Sequence, residues 1–388
     1  MHMPERRCWE DWVPGVLSKT QVQALESEGA IKHLGKCDFS AIDLPLGDQA
    51  YEMLKGAVKP CGEDYEHLLL KSSYAKQIDF SGEITLERKR TYVFSVQVEF
   101  GPSFIGSGRF YGQATGRSTI GRVDVLTRLI VNGMDEYEGF DPEGLDRGKN
   151  GKLFLEVTPI TFSVKVKPGV PLSQLRLFLG KPNTALVDGT DICKTALRDA
   201  DPTNDGYLSL AVDPEIYNKK GDTAVAFGAK RDAEVDPIPL WLDAGKDGLD
   251  PYKYWTAIPP EKDFFWGRKF VRIRNSYFYI LRSKESLAVP SGVAVYCKPS
   301  DETIGEMRIH YAGFVHPGFG LHRSDQKQGT PLIFEVRGHD FEVTLMHGEK
   351  LARLEFYRMS LDAVDIEPGD YERQSLKLSK LFAPWDPQ

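Results

Sequence analysis

The chain has 388 residues, of which 41% are hydrophobic and 27% charged, and its formal net charge is −7. That length and apolar content suffice for two domain cores. The acidic balance excludes a protein that holds long nucleic acid through a general basic surface, but leaves room for a small anion in a local basic pocket. No apolar run reaches the length of a bilayer span, and Met1 to Glu10 hold no apolar signal core. The five cysteines, Cys8, Cys37, Cys61, Cys193 and Cys297, are scattered and never spaced CxxC. They predict reduced thiols in a cytoplasmic protein without a membrane partner.

With 36 glycines, 24 prolines and an aromatic share of 11%, strands and turns should dominate. A helix signal comes first. Ser18-Lys19-Thr20-Gln21 has capping-box spacing, Val22 and Leu25 follow at helical spacing, and Gly29 can end the element, so a short helix is expected near 18–28. Next comes Gly116-Arg117-Ser118-Thr119-Ile120-Gly121-Arg122. A guanidinium fork beside two hydroxyls in a glycine-bounded turn can wrap a polyphosphate; a surface turn with a salt-bridged arginine is the equally open alternative. Phe162, Val164 and Val166 then alternate with Ser163, Lys165 and Lys167, the period of a half-buried strand. The polar stretch Asp188 to Gly206 reads as a linker. His310 to Gly320 sets Pro317-Gly318 among aromatics and reads as a tight hairpin. Its backbone edges can read a base and Phe319 can pack on a sugar, or it is an ordinary hairpin with core aromatics. Phe341, Val343 and Leu345 alternate with Glu342, Thr344 and Met346 as a second strand.

The two strand regions are copies. LFLEVTPITFSVKVKPGVPLSQLRLF from Leu153 aligns without gaps with LIFEVRGHDFEVTLMHGEKLARLEFY from Leu332, Ile120-Gly121 matches Ile304-Gly305, and Ala41-Ile42-Asp43 matches Ala211-Val212-Asp213. Copies spaced this far apart are a domain duplication. They set Glu156 against Glu335, each inside an apolar run. A carboxylate there costs free energy unless partnered, and desolvation moves its pKa towards values useful for proton transfer; a strand-edge residue facing solvent is the alternative. His347-Gly348-Glu349 has the H-x-E form of zinc deaminases, but no cysteine follows Cys297, and the spacing of His322, His339 and His347 supports no other metal site.

Taken together, these residues resemble the dCTP deaminases of the dUTPase-like superfamily, in a fused two-copy form. The first half is similar through Gly15-Val16-Leu17-Ser18, Ile42-Asp43-Leu44-Pro45-Leu46-Gly47 and the Gly116–Arg122 stretch. The second is similar through Tyr311-Ala312, Pro317-Gly318-Phe319-Gly320, Phe334-Glu335-Val336 and Tyr371 to Lys380. The resemblance implies a mainly β fold: two tandem dUTPase-like distorted β-barrel (β-clip) domains with a few short helices, at 1–187 and 207–388, joined by the linker 188–206. It implies sites built between subunits of a homo-oligomer, dCTP as substrate and dTTP as a candidate inhibitor. Magnesium would arrive with the triphosphate, no metal would bind to protein side chains, and no zinc would be used.

In the reaction so implied, water attacks C4 of cytosine and gives dUTP and ammonia. Glu335 acts as general base, with Ser118 and Arg122 positioning the water and stabilising charge. Arg117, Ser118 and Thr119 hold phosphates, as does Gln174, whose place in the second copy is taken by Arg353. Tyr311, Ala312, His316 and Phe319 hold base and sugar, and Tyr371, Lys377 and Lys380 belong to a closing tail. Three features depart from the pattern. The first copy reads Asn132-Gly133-Met134-Asp135 in place of the hairpin, with a polar insertion to Asn150, and the second reads Lys298-Pro299-Ser300-Asp301 in place of the arginine–serine motif. His316 stands where relatives usually carry a sugar-facing aspartate. Each half has lost what the other keeps, which predicts composite sites. Rival readings are a dUTP diphosphatase, a bifunctional deaminase–diphosphatase, and a non-catalytic nucleotide-binding regulator.

Overall fold

A computed structural model describes residues 7–32, 36–71, 73–143, 152–242, 248–299, 307–310, 313–321, 329–364 and 374–385. The fold is mainly β, with a few short helices. The expected helix spans Lys19–Ser27: the Ser18 backbone N–H donates to Gln21 Oε1 at 3.0 Å, and Gly29 leaves the helix at φ 68°.

The duplication is visible in the strand order. In the first half, Val125–Val131, Leu153–Pro159 and Tyr92–Val96 lie side by side, as do Pro171–Leu179, Phe110–Gly116 and Gly139–Phe140. The second half repeats both triplets, as Met307–His310, Thr330–Gly338 and Phe278–Leu287, and as Lys350–Arg358, Val293–Pro299 and Phe314–Val315. The long strand Ala41–Met53 pairs with both Tyr92–Val96 and Pro171–Leu179, joining the first half's triplets into one sheet. Its counterpart in the second half is reduced to Tyr207–Ser209, paired with Lys350–Arg358 alone, and is not the expected Ala211–Asp213: Tyr207 sits opposite Arg353 as Asp43 sits opposite Gln174, and the triplets there form separate sheets.

Each half keeps a core of its own, and a third cluster is shared between them. Phe94, Val157 and Phe162 share one cluster with Phe227, Trp255 and Phe278, and with Leu376, Leu378, Leu381, Phe382 and Trp385 of the last described segment. Phe178 and Tyr357, which align in the repeat, meet edge to face at 5.3 Å. The stretch expected as a linker is folded into the second half. Thr190–Ala196 is helical, Leu197–Arg198 pairs with Phe278–Leu287, and Cys193, Ala196 and Leu197 are buried in the second core. The expected strand at Phe341 begins only at Val343, and Phe341 is 54% exposed. Its counterpart Phe162 is buried because Tyr254 and Trp255 of the other half close on it, with ring centroids 5.6 and 5.8 Å away.

Candidate active site

A cavity of about 220 Å3 opens between the two halves of the chain. From the first half it is lined by Phe39, Ser40, Arg117, Ser118, Thr119, Arg122, Gln174 and Arg176; from the second, by Lys298, Phe314, His316, Phe319 and Glu335; and from the last segment, by Gln374.

Strand alternation aims Glu335. Phe334 and Val336 face the second half's core, so Glu335 and Arg337 face the first half. Glu335 is 5% exposed, and its Oε2 has no hydrogen-bond partner among the described residues. Burial pushes its carboxyl well above the usual carboxylate range, and the nearby Arg122 charge opposes that only in part. Two residues along, Arg337 pairs with Asp124, and Thr161 Oγ1 accepts from Arg337 Nη2 at 2.9 Å while donating to Asp124 Oδ2 at 2.5 Å. Arg122 and Asp124 thus oppose Glu335 and Arg337 as two rungs across the junction.

The arginine–serine motif sits at the turn after Phe110–Gly116, where Ser118–Gly121 forms a single helical turn. Arg117 Nε lies 3.4 Å from Asp43 Oδ1, and Gln174 Nε2 donates to the same oxygen at 3.2 Å. Asp43 is buried and holds both side chains towards the cavity; burial raises its pKa, opposed by Arg117. Arg122 reaches the last segment, donating to the Lys377 carbonyl at 3.1 Å and to Gln374 Oε1 at 2.8 Å. Ser379 Oγ donates to the Thr119 carbonyl at 2.8 Å. A second opening of about 370 Å3 adjoins the cavity, sharing Arg117 and Thr119 and adding Lys167, Trp241 and Lys380.

Pro317-Gly318 forms a turn but not the expected hairpin: Gly318 has φ 82° and the Phe319 N–H donates to the His316 carbonyl at 3.2 Å, the geometry of a type II turn, while Phe314–Val315 pairs with Val293–Pro299 and with no described strand beyond the turn. The His316 ring stacks on Phe39 at 4.3 Å and 14°, and burial lowers its pKa. Phe319 lines the cavity but is 6% exposed and packs mostly in the second core.

Of the residues expected from sequence, Arg117, Ser118, Thr119, Arg122, Gln174, His316, Phe319 and Glu335 meet in one cavity of one chain. Lys380 lines the adjoining opening, and Lys377 contributes its carbonyl to Arg122. Tyr311, Ala312 and Tyr371 lie outside the described residues. Sequence reasoning missed Arg176, Gln374, Phe39 and Lys298. The argument that singled out Glu156, an ionic group in an apolar strand, applies equally to Arg176 between Leu175 and Leu177. His347 Nδ1 accepts from the Val212 N–H at 3.0 Å, and no three His, Cys, Asp or Glu side chains cluster as metal ligands among the described residues.

Two family models cover the chain in succession. Residues 13–181 match the 2'-deoxycytidine 5'-triphosphate deaminase N-terminal domain, and residues 181–382 match the C-terminal domain. Among solved structures, the 2'-deoxycytidine 5'-triphosphate deaminase from Agrobacterium tumefaciens is similar at 25% identity with a TM-score of 0.75, over 90% of this chain and 97% of that one. No curated protein matches the chain.

Proposed function

The chain belongs to the 2'-deoxycytidine 5'-triphosphate deaminase family and deaminates dCTP, and we propose that it does so in the cavity between its halves with Glu335 as the general base. The observation that carries this reading is the state of Glu335: a buried carboxyl with an unpartnered oxygen, facing a cavity whose opposite wall is cationic. Such a group takes a proton from water readily once ionised, and can return it to the departing amine. Ser118 and Arg122 hold the water and the charge that develops on the ring. Arg117, Thr119 and Gln174 take the phosphates, and the chain of phosphates runs on towards Lys167 and Lys380 in the adjoining opening. His316 and Phe319 border base and sugar, and the resemblance assigns Tyr311 and Ala312, which lie outside the described residues, to the same role. From the last described segment Gln374 and Lys380 border the nucleotide, while Leu376 and Leu378 anchor that segment in the shared core instead of leaving it free to close.

Magnesium comes with the nucleotide, zinc takes no part, and the working form is a cytoplasmic homo-oligomer open to inhibition by dTTP. Incubation with dCTP tests the whole reading. Ammonia and dUTP should appear with little pyrophosphate, activity should require magnesium, and a zinc-selective chelator should leave it intact. Pyrophosphate released in step with ammonia overturns it in favour of a bifunctional enzyme. Nucleotide binding without turnover overturns it in favour of a regulator.

A further inference from the structure

Arg176 is fully buried. It donates from Nη1 to the Val295 carbonyl at 2.9 Å, and from Nη2 to the Val315 carbonyl at 3.3 Å and to Ser40 Oγ at 3.4 Å. Its guanidinium lies 4.0 Å from the Phe314 ring centroid. All these partners are neutral. No carboxylate pairs with it among the described residues, and burial lowers its pKa to about 9.

Stability alone gives no reason for a cation here. A lone guanidinium gives up its hydration here without gaining a counter-charge, and an apolar side chain could supply its packing volume without that cost. What Arg176 does is geometric. Val295 and Val315 are register partners in adjacent strands, so one guanidinium fork grips both strands at the root of the turn that carries His316. Its third partner, Ser40, adjoins Phe39, on which the His316 ring stacks. The contacts close a loop from Arg176 through Val315, His316, Phe39 and Ser40 back to Arg176, crossing twice between the halves. Phe39 itself has φ 41°, a left-handed conformation costly for a bulky residue, and strain of this kind persists where surrounding contacts over-determine it.

We propose that Arg176 is a positioning residue for nucleotide binding: it locks the Phe314–His316 segment of the second half, together with Phe39 of the first, into one fixed wall of the cavity. The proposal rests on the cavity being the dCTP site. It concerns binding rather than chemistry, because Glu335, Ser118 and Arg122 are not among the groups that Arg176 holds.

The test is steady-state deamination of dCTP by the full-length protein, with thermal melting alongside. Arg176→Met should raise KM about tenfold or more, the scale of a lost charge-assisted hydrogen bond, with kcat little changed and Tm lowered modestly at most, because the desolvation cost removed offsets the acceptors left without their donor. Arg176→Lys, which keeps the charge but not the fork, should fall between. Phe39→Gly, whose backbone adopts the turn freely, should raise KM without lowering Tm, and it decides the matter if Arg176→Met does not fold. Unchanged KM in Arg176→Met or Phe39→Gly, or a loss of kcat and Tm together with KM intact, overturns the proposal while leaving dCTP deamination in place. A wild type that releases no ammonia from dCTP overturns the functional reading, and this inference with it.

Discussion

Leu153–Pro159 and Thr330–Gly338 began as the same strand, and each still carries its glutamate in the same place, yet the two carboxyls now live in opposite circumstances. Glu156 is saturated: Arg128 donates to its Oε1 from Nε at 2.9 Å, and the Tyr137 hydroxyl donates to Oε2 at 3.1 Å. The face it occupies is sealed within its own half by Tyr51, Tyr65 and Phe154. Glu335 looks across the junction into a cavity, with one oxygen left without a partner among the described residues. Burial raises the pKa of both, and Glu156 has Arg128 donating to it directly, whereas Arg122 acts on Glu335 as a nearby charge. Sequence position does not make a catalytic carboxylate. What matters is whether the fold spends the side chain's acceptors on protein or leaves them for solvent and substrate.

The largest expected effect tests that contrast. Glu335→Gln should lower kcat by about a hundredfold to ten-thousandfold, while Glu156→Gln should keep most activity and lose stability instead, because Arg128 and Tyr137 then face a weaker acceptor. The reverse assignment in the two kcat values breaks the comparison outright. Next in size, Arg117→Ala should weaken the binding of a non-hydrolysable dCTP analogue about tenfold to a hundredfold, and the wild type should bind about one analogue per chain. Two equivalent nucleotides per chain would mean that the Glu156 side also forms a site. Mixing Arg117→Ala chains with Glu335→Gln chains sharpens the same point. Both residues line one cavity of one chain, so activity should not return even after proven subunit exchange; recovery would place the working halves on different chains.

The smallest effect is thermodynamic. A carboxyl whose folded pKa is raised contributes stability that is fully present below its unfolded pKa, about 4.3, and that is lost as pH rises through the folded value. Glutamine does not titrate. Glu335→Gln should therefore melt at or above the wild type on the alkaline side, and the two curves should converge in acid. In the wild type, activity should fall on the acid side at a pH above the ordinary carboxylate range, as Glu335 takes up its proton. Coincident melting curves at every pH would show that Glu335 titrates like a solvated acid.

Much of this was legible in the chain. The gapless repeat exposed the duplication because strand pairs and glycine turns impose residue types at fixed spacing, and the arginine–serine turn and Glu335 announced themselves as polar groups in apolar settings. Long-range partners were not legible. Nothing around Phe39 signals that it borders a site, and Gln374 lies within the expected tail without being singled out, since both roles arise from packing across the junction. Asp188 to Gly206 looked like a linker because its polar residues dominate by count, whereas Cys193, Ala196 and Leu197 decide its fate by burial. Phe341 looked like Phe162 because the copies align, but the rings that cover Phe162 come from the opposite half, and the arrangement is not mirrored.

The last described segment, 374–385, carries a consequence for biosynthesis. It touches the first half's motif through Arg122 and Thr119, and it plugs the shared core with Leu381, Phe382 and Trp385. Translation delivers these residues after every other group they contact. While the ribosome is still at work, the arginine–serine turn lacks the carbonyls and the amide that orient Arg122, and the core beneath it stands open. A chain not yet extended through this segment therefore holds the proposed site incomplete, with Arg122 unheld from that side.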